Sequence, residues 1–367
     1  MKFVNVLLIY SILLLFLVFP INILGENLSN HLRKDPGGNF RNNIQRKLQK
    51  DNYIIFKYND RANYSTKNFT ILENSEDETS EDTRQFISKI IYNNNSYNDI
   101  NFIIEANKVV EIHFSKPMES LASLFDHYFD SNCNKISYVD LYHFDSSALN
   151  DIEYMFYECT SIQEINFTNF NTASVKYMNN MFDGCSQLIS LNISNFNTSI
   201  VEDMNSMFNG CTNLVSLDLS NFDGSSVTDC NAMFQNCRQL KSIDSSNLGA
   251  INAEDIDFMF SGCSSLEYLE LSNFNPDSDN LMNIDNMFDN VTNIKYINIY
   301  NIQNEKLKTA FVNKNLNTKE DLIICQSENI LNNSNAVYEC CDFSKRPLQC
   351  ESNNYKKCSK LYFWLYK

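Results

Sequence analysis

The dipeptide Met-Phe recurs at Met155-Phe156, Met181-Phe182, Met207-Phe208, Met233-Phe234, Met259-Phe260 and Met287-Phe288, with spacings of 26, 26, 26, 26 and 28 residues. NPDSDN (275–280) supplies the two extra residues of the last step, and a degenerate copy with Phe129 in the Met column precedes the series. A regular period of this length specifies stacked coils, because one unit cannot bury its apolar side alone. Inside the unit 181–206, Leu188, Leu191 and Ile193 have the L-x-x-L-x-L spacing of a short strand with an apolar inner side. Ser190, Asn192 and Ser194 alternate outward. An Asn column follows (Asn169, Asn195, Asn221, Asn247, Asn273, Asn301, with His143 at its head), suited to satisfying backbone groups left unpaired at a turn. Next comes a spine of Phe144, Phe170, Phe196, Phe222, Leu248, Phe274 and Ile302. Asn197-Thr198-Ser199 reads as a helix cap, and Val201, Met204, Met207 and Phe208 fall at i, i+3, i+6 and i+7, one helical face.

The expected fold class is therefore α/β, a solenoid with a parallel sheet along one face and a short helix in each unit. Around this solenoid, 119–302, the chain divides into an apolar leader (1–25), a polar linker (26–50), a β-rich amino-terminal cap (51–118), a carboxyl-terminal cap (303–338) and a Cys-rich tail (339–367). Lys2 followed by an apolar run closed by Pro20 and a small residue near Gly25 has the form of a secretory signal peptide or an uncleaved signal anchor. Both place the rest of the chain outside the cytosol. LYFWLYK (361–367) is too short to span a bilayer, so membrane attachment is expected only through that anchor or through a segment beyond residue 367.

The string M-F-x-x-C-x-x-L-x-x-L-x-L-S-N-F-x-x-S-x-V-x-x-M, seen in MFNGCTNLVSLDLSNFDGSSVTDC (207–230) and MFSGCSSLEYLELSNF (259–274), resembles the BspA-like leucine-rich-repeat surface proteins of bacteria and some microbial eukaryotes. The resemblance spans about residues 120–302. It implies a leucine-rich-repeat fold and a secreted or surface-displayed role in binding and adhesion, with no shared enzymatic residue. Two positions depart from the pattern: Cys230 stands where a Met or Ile is usual, and Val291 interrupts the cysteine column.

The cysteines divide into two groups. Cys133, Cys159, Cys185, Cys211, Cys237 and Cys263 are 26 apart, one per coil. Parallel Cα–Cβ vectors about 4.8 Å apart do not bring Cβ atoms to the ~3.8 Å of a disulfide. A ladder of buried thiols is the expected arrangement, with bridges or a metal site as the alternatives. Cys325, Cys340, Cys341, Cys350 and Cys358 are irregular, sit in a polar stretch and are the disulfide candidates of a secreted chain. The sequons lie at Asn27, Asn63, Asn68, Asn94, Asn166, Asn192, Asn197, Asn290 and Asn332. Asparagine makes up 56 of the 367 residues, so triplets of this kind also arise by composition alone.

A ligand face is expected from the outward strand positions, of which Tyr138, Asp140, Tyr142, Glu164, Asp218, Asp244, Tyr268, Glu270, Tyr296 and Tyr300 carry the most recognition chemistry. Tyrosine supplies apolar area and a hydroxyl at low entropic cost, and here it flanks an acidic centre. Asp218, Asp244 and Glu270 on neighbouring strands repel unless solvated or countered by a cation or a basic partner. The net charge of −16 excludes a backbone-driven nucleic-acid binder. No G-x-S-x-G, H-E-x-x-H, P-loop or C-x-x-C is present, and the four histidines have no ligand spacing, so neither catalysis nor a cofactor or metal is expected. The expected partners are an extracellular protein or glycan, or further copies of the chain as a structural cell coat.

Overall fold

The computed structural model describes residues 52–58, 68–70, 87–97, 101–103, 108–125, 133–307 (apart from 246, 251, 278–280 and 300–301), 323–326 and 337–339. The expected leader, the linker and all of the tail except Glu339 lie outside the described residues. Before the solenoid come β1 (Tyr53–Tyr58), β2 (Asn68–Thr70), β3 (Ile87–Tyr92), β4 (Asn95–Tyr97), β5 (Asn101–Ile103) and β6 (Val109–Phe114). The coils contribute β7 (Ile136–Asp140), β8 (Glu164–Asn166), β9 (Ser190–Leu191), β10 (Ser216–Leu217), β11 (Ser242–Asp244), β12 (Tyr268–Glu270) and β13 (Tyr296–Asn298). β14 (Ile323–Gln326) and β15 (Val337–Glu339) follow.

One six-stranded sheet has the order β4-β3-β6-β1-β7-β8, and a second of seven strands runs β15-β14-β13-β12-β11-β10-β9. β1 joins the coil strand β7 antiparallel, with Lys57 opposite Tyr138. The residues before the coils thus continue the solenoid sheet sideways and pair the edge that β7 would otherwise expose. From β7 onward each coil strand is parallel to the next, except that β8 and β9 do not pair.

On another side of each coil a second ladder forms from single parallel bridges: Ser120, Asp151, Tyr177, Asp203, Asp229, Asp255 and Asn283 link in succession, marking about six turns. It passes through the segment expected to be helical. Among the described residues, helix is confined to a 3-10 turn at Cys133–Lys135 and a single turn at 305–307. The reason lies in where the amide hydrogens go. Met204, Ser206, Phe208 and Gly210 N–H donate to Asp229, Asn231, Met233 and Gln235 carbonyls of the following coil at 2.8–3.0 Å. A left-handed residue recurs inside the same segment (Tyr154, Asn180, Ser206, Ala232, Phe258), which no α-helix accommodates. Val201, Met204, Met207 and Phe208 do share one buried side, but as inward residues of a bridged coil.

Packing follows the columns. Phe125, Phe156, Phe182, Phe208, Phe234, Phe260 and Phe288 stack one upon another with centroids 5.5–5.9 Å apart and planes within 11° of parallel. The spine phenylalanines Phe144, Phe170 and Phe196 stand farther apart, at 6.1–6.2 Å. The Asn column acts as expected at Asn195, whose amide donates to the Phe167 and Phe170 carbonyls at 2.9 and 2.8 Å. Asn221 and Asn247 reach back to the Ser194 and Ser220 carbonyls. Buried Thr172 and Thr198 add a second inter-coil link: each hydroxyl accepts an N–H from the next coil and donates to a carbonyl of the same residue, Asn197 and Asp223. His143, at the head of the Asn column, instead stacks on Tyr53 of β1 (4.5 Å between centroids).

The cysteine ladder holds in four coils and fails in the first. Cys185, Cys211, Cys237 and Cys263 are buried free thiols, each Sγ within 3.0–3.2 Å of the carbonyl of the Met-Phe phenylalanine one coil earlier. Burial pushes these thiols up, which holds them protonated. Cys133 and Cys159, expected to be thiols as well, form a disulfide across a Cα–Cα distance of 5.0 Å. Cys133 lies in the 3-10 turn rather than in the repeated turn, so its Cα–Cβ direction is not bound to be parallel to that of Cys159. Of the tail candidates, Cys325 falls in β14, and Cys340, Cys341, Cys350 and Cys358 lie outside the described residues.

Candidate ligand-binding face

Parallel pairing brings the first outward position of every strand into one row. Tyr138 is in register with Glu164; across the seam, Ser190, Ser216, Ser242, Tyr268 and Tyr296 follow one another. Three of the predicted residues, Tyr138, Asp140 and Glu164, thus gather on β7–β8, and Tyr268, Glu270 and Tyr296 gather on β12–β13, where Glu270 and Tyr296, expected to face outward, are instead buried, Tyr296 beneath the stacked Tyr268 ring and Glu270 under its hydrogen-bond partners. Asp218 and Asp244 lie between the two groups. Tyr142 is exposed beside His143, their rings 4.8 Å apart, and Tyr300 lies outside the described residues.

The two aromatic ends differ in construction. Tyr268 and Tyr296 stack with planes 1° from parallel and centroids 4.9 Å apart. Tyr268 Oη donates to Glu270, which also accepts from Asn298 Nδ2 (2.8 Å) and Ser272 N–H (2.9 Å), and burial beside this carboxylate drives the Tyr268 phenol upward. Tyr138 is a single ring between Lys57 and Glu164 in register. Its phenol is pushed up to about 12 by burial and by the nearby Asp140 carboxylate, so it stays a neutral hydrogen-bond donor.

The second outward column has a structural task that residue-type reasoning overlooked. Asp140, Asn166, Asn192 and Asp218 each accept the N–H two residues ahead, at Tyr142, Thr168, Ser194 and Ser220 (2.9–3.2 Å). Glu270 does the same for Ser272. These are Asx turns, or their Glu equivalent, closing each strand. The Ser220 N–H and hydroxyl hold the Asp218 carboxyl below its ordinary value. The acidic column is thus occupied in part by its own backbone. The signal was present in the sequence as a repeated [DN]-x-[ST], which with Asn is also a sequon. Asn197 follows the same rule, accepting from Ser199 N–H as Asp223 does from Ser225.

Among the remaining sequon residues, Asn94 is exposed at the β3–β4 turn, with Asn93 and Asn94 both left-handed, and Asn290 is exposed. The Asn166 amide donates to Asp140 at 2.9 Å. Asn68 lies in β2, and Asn27, Asn63 and Asn332 lie outside the described residues. Among the described residues, no group of three or more His, Cys, Asp or Glu is placed to hold a metal ion.

A surface cavity of about 510 Å³ opens over the unpaired β8–β9 junction and is lined by side chains from β7, β8, β9 and the turns that follow β8 and β9.

The repeat seen in the sequence and in the coils matches a described family. The family "Mycoplasma protein of unknown function, DUF285" matches residues 119–247, 150–274 and 218–323. These overlapping matches cover the solenoid and more than half of the chain, and the protein belongs to this family. No curated protein matches the chain.

Proposed function

We propose that this protein is a non-catalytic recognition module of the BspA-like leucine-rich-repeat type, secreted or displayed at the cell surface, that binds extracellular protein or glycan partners through the strand face. The observation that carries the reading is the register row in which Tyr138 and Glu164 stand at one end, Tyr268 and Tyr296 at the other, and three serines between them. In this row the half-buried rings of Tyr138 and Tyr268 flank a hydroxyl-rich centre on a rigid scaffold, with Tyr296 buried behind Tyr268, and aromatic rings beside hydroxyls are the composition favoured at recognition surfaces. The 26-residue coil and the sequence resemblance to the BspA-like proteins support the same reading, and the apolar leader supports export.

The test is binding of the full-length chain to an array of extracellular proteins and glycans, repeated with Tyr138→Ala and Tyr268→Ala combined. Saturable binding that weakens at least tenfold in the double variant is expected. Concentration-dependent self-assembly with no bound ligand would replace this reading with that of a cell-coat protein.

A further inference from the structure

We infer that the β8–β9 seam is a binding site for a neutral saccharide, an inference that rests on the recognition reading above and gives it a location and a ligand class. Three observations converge on this junction.

The first is the missing ladder. Gln163 N–H donates to Ser137 O, Val215 N–H to Ile189 O and Lys241 N–H to Val215 O, yet no bond joins Ile189 N–H to Gln163 O. The Ile189 N–H and the Gln163 carbonyl at this junction are therefore open to water or to a ligand.

The second is the volume. The cavity above the seam, about 510 Å³, is within the range of roughly 300–1,000 Å³ typical of small-molecule sites.

The third is the chemistry of the lining. Tyr138 offers a ring, Glu164 a carboxylate, Asn166 and Asn192 amides, and Thr168 and Ser190 hydroxyls. Among the described residues no cation lines the cavity, and Lys57 lies beyond Tyr138 in the register, so a phosphate, sulfate or sialyl group finds no counter-charge there. Among the described residues, its large apolar members Ile165 and Phe167 are nearly buried, so a lipid chain finds no apolar wall there. A polyhydroxyl ring with an apolar C–H face matches what remains: stacking on Tyr138, and hydroxyls facing a carboxylate, amides and open main-chain groups.

The test uses the full-length chain produced with and without N-glycosylation, because Asn166 and Asn192 are themselves sequon residues. Neutral oligosaccharides and their sialylated and sulfated counterparts are arrayed, and hits are titrated calorimetrically. The expected result is neutral ligands bound at least tenfold more tightly than charged counterparts. Tyr138→Ala and Glu164→Gln should each raise Kd at least tenfold, Tyr138→Phe should have a smaller effect, and Tyr296→Phe should stay within twofold. Preference for charged sugars, or affinity that follows Tyr268 and Tyr296 rather than Tyr138, overturns the seam site. So does a glycan covalently held on Asn166 or Asn192 filling the cavity in the native chain. If extracellular proteins bind and no saccharide does, the seam proposal falls and the recognition reading stands. If nothing binds, both fall.

Discussion

The two ladders of each coil divide the work unequally. On the bridge side, seven residues from Ser120 to Asn283 link without a break, and a parallel stack of seven phenylalanines runs beneath them. On the strand side the ladder is short, two residues wide in β9 and β10, and absent between β8 and β9. The repeated Met-Phe lies where the ladder is continuous, and the variable outward residues lie where it is thin. One side holds the pitch of the solenoid, which frees the other to vary its surface and even to lose a strand pair.

Substitutions can break this contrast, beginning with the largest effect. Phe208→Ala removes a fully buried ring stacked on both neighbours, and a loss of about 3–5 kcal/mol in denaturant unfolding is expected. A loss below about 1 kcal/mol would mean that the stack does not carry the coil.

Asp183, on the bridge side, should show the opposite sign. Burial, with Glu158 nearby, pushes its carboxyl up to about 6 from 3.8. Ionising it therefore costs the folded state stability as pH rises from about 4 to 6, a cost fully present above that window. Asp183→Asn is expected to gain about 1–3 kcal/mol at pH 7 and almost nothing at pH 3, below both the folded and the unfolded value, read from the difference in Tm between variant and parent at each pH. A gain that persists at pH 3 would remove the electrostatic explanation.

Asn195→Ala sits between the two ladders. It leaves the Phe167 and Phe170 carbonyls without their amide donor, and since this turn is partly solvated a loss of about 1 kcal/mol is expected by chemical denaturation. The smallest effect belongs to the strand row. Ser216→Ala at an exposed position of β10 should change stability by less than about 0.5 kcal/mol, and a larger loss would show that the thin ladder is more than a surface.

The period, the inward columns, the Asn turn and the parallel strands were legible because each depends on residue type at a fixed spacing. The helices were not. Val201, Met204, Met207 and Phe208 have a helical interval, but that interval only reports which residues face inward. Whether an N–H closes onto its own chain at i−4 or onto the next coil depends on a neighbour 26 residues away. Left-handed Ser206, one of a column that also holds Tyr154 and Phe258, carries no residue-type signature. Gly184, Gly210 and Gly262 do mark a second left-handed column, recognisable in retrospect from three glycines at one repeat position. The Cys133–Cys159 bridge escaped for a related reason: the column predicts equivalent geometry, and the first coil is the one that departs from it. At the candidate site, the tyrosine row was readable from alternation, whereas the seam was not, since Gln163 and Ile189 give no sign that their peptide groups fail to meet.

The Asx turns have a consequence for how such a surface changes over generations. Asn192 and Asp218 close the same turn in successive coils, and the codons for the two amino acids differ by one base. An exchange between them leaves the backbone bond in place, yet it creates or deletes an acceptor triplet for N-linked sugar. The outer face can therefore redraw its pattern of such triplets coil by coil, by single mutations that leave the turn's hydrogen bond in place.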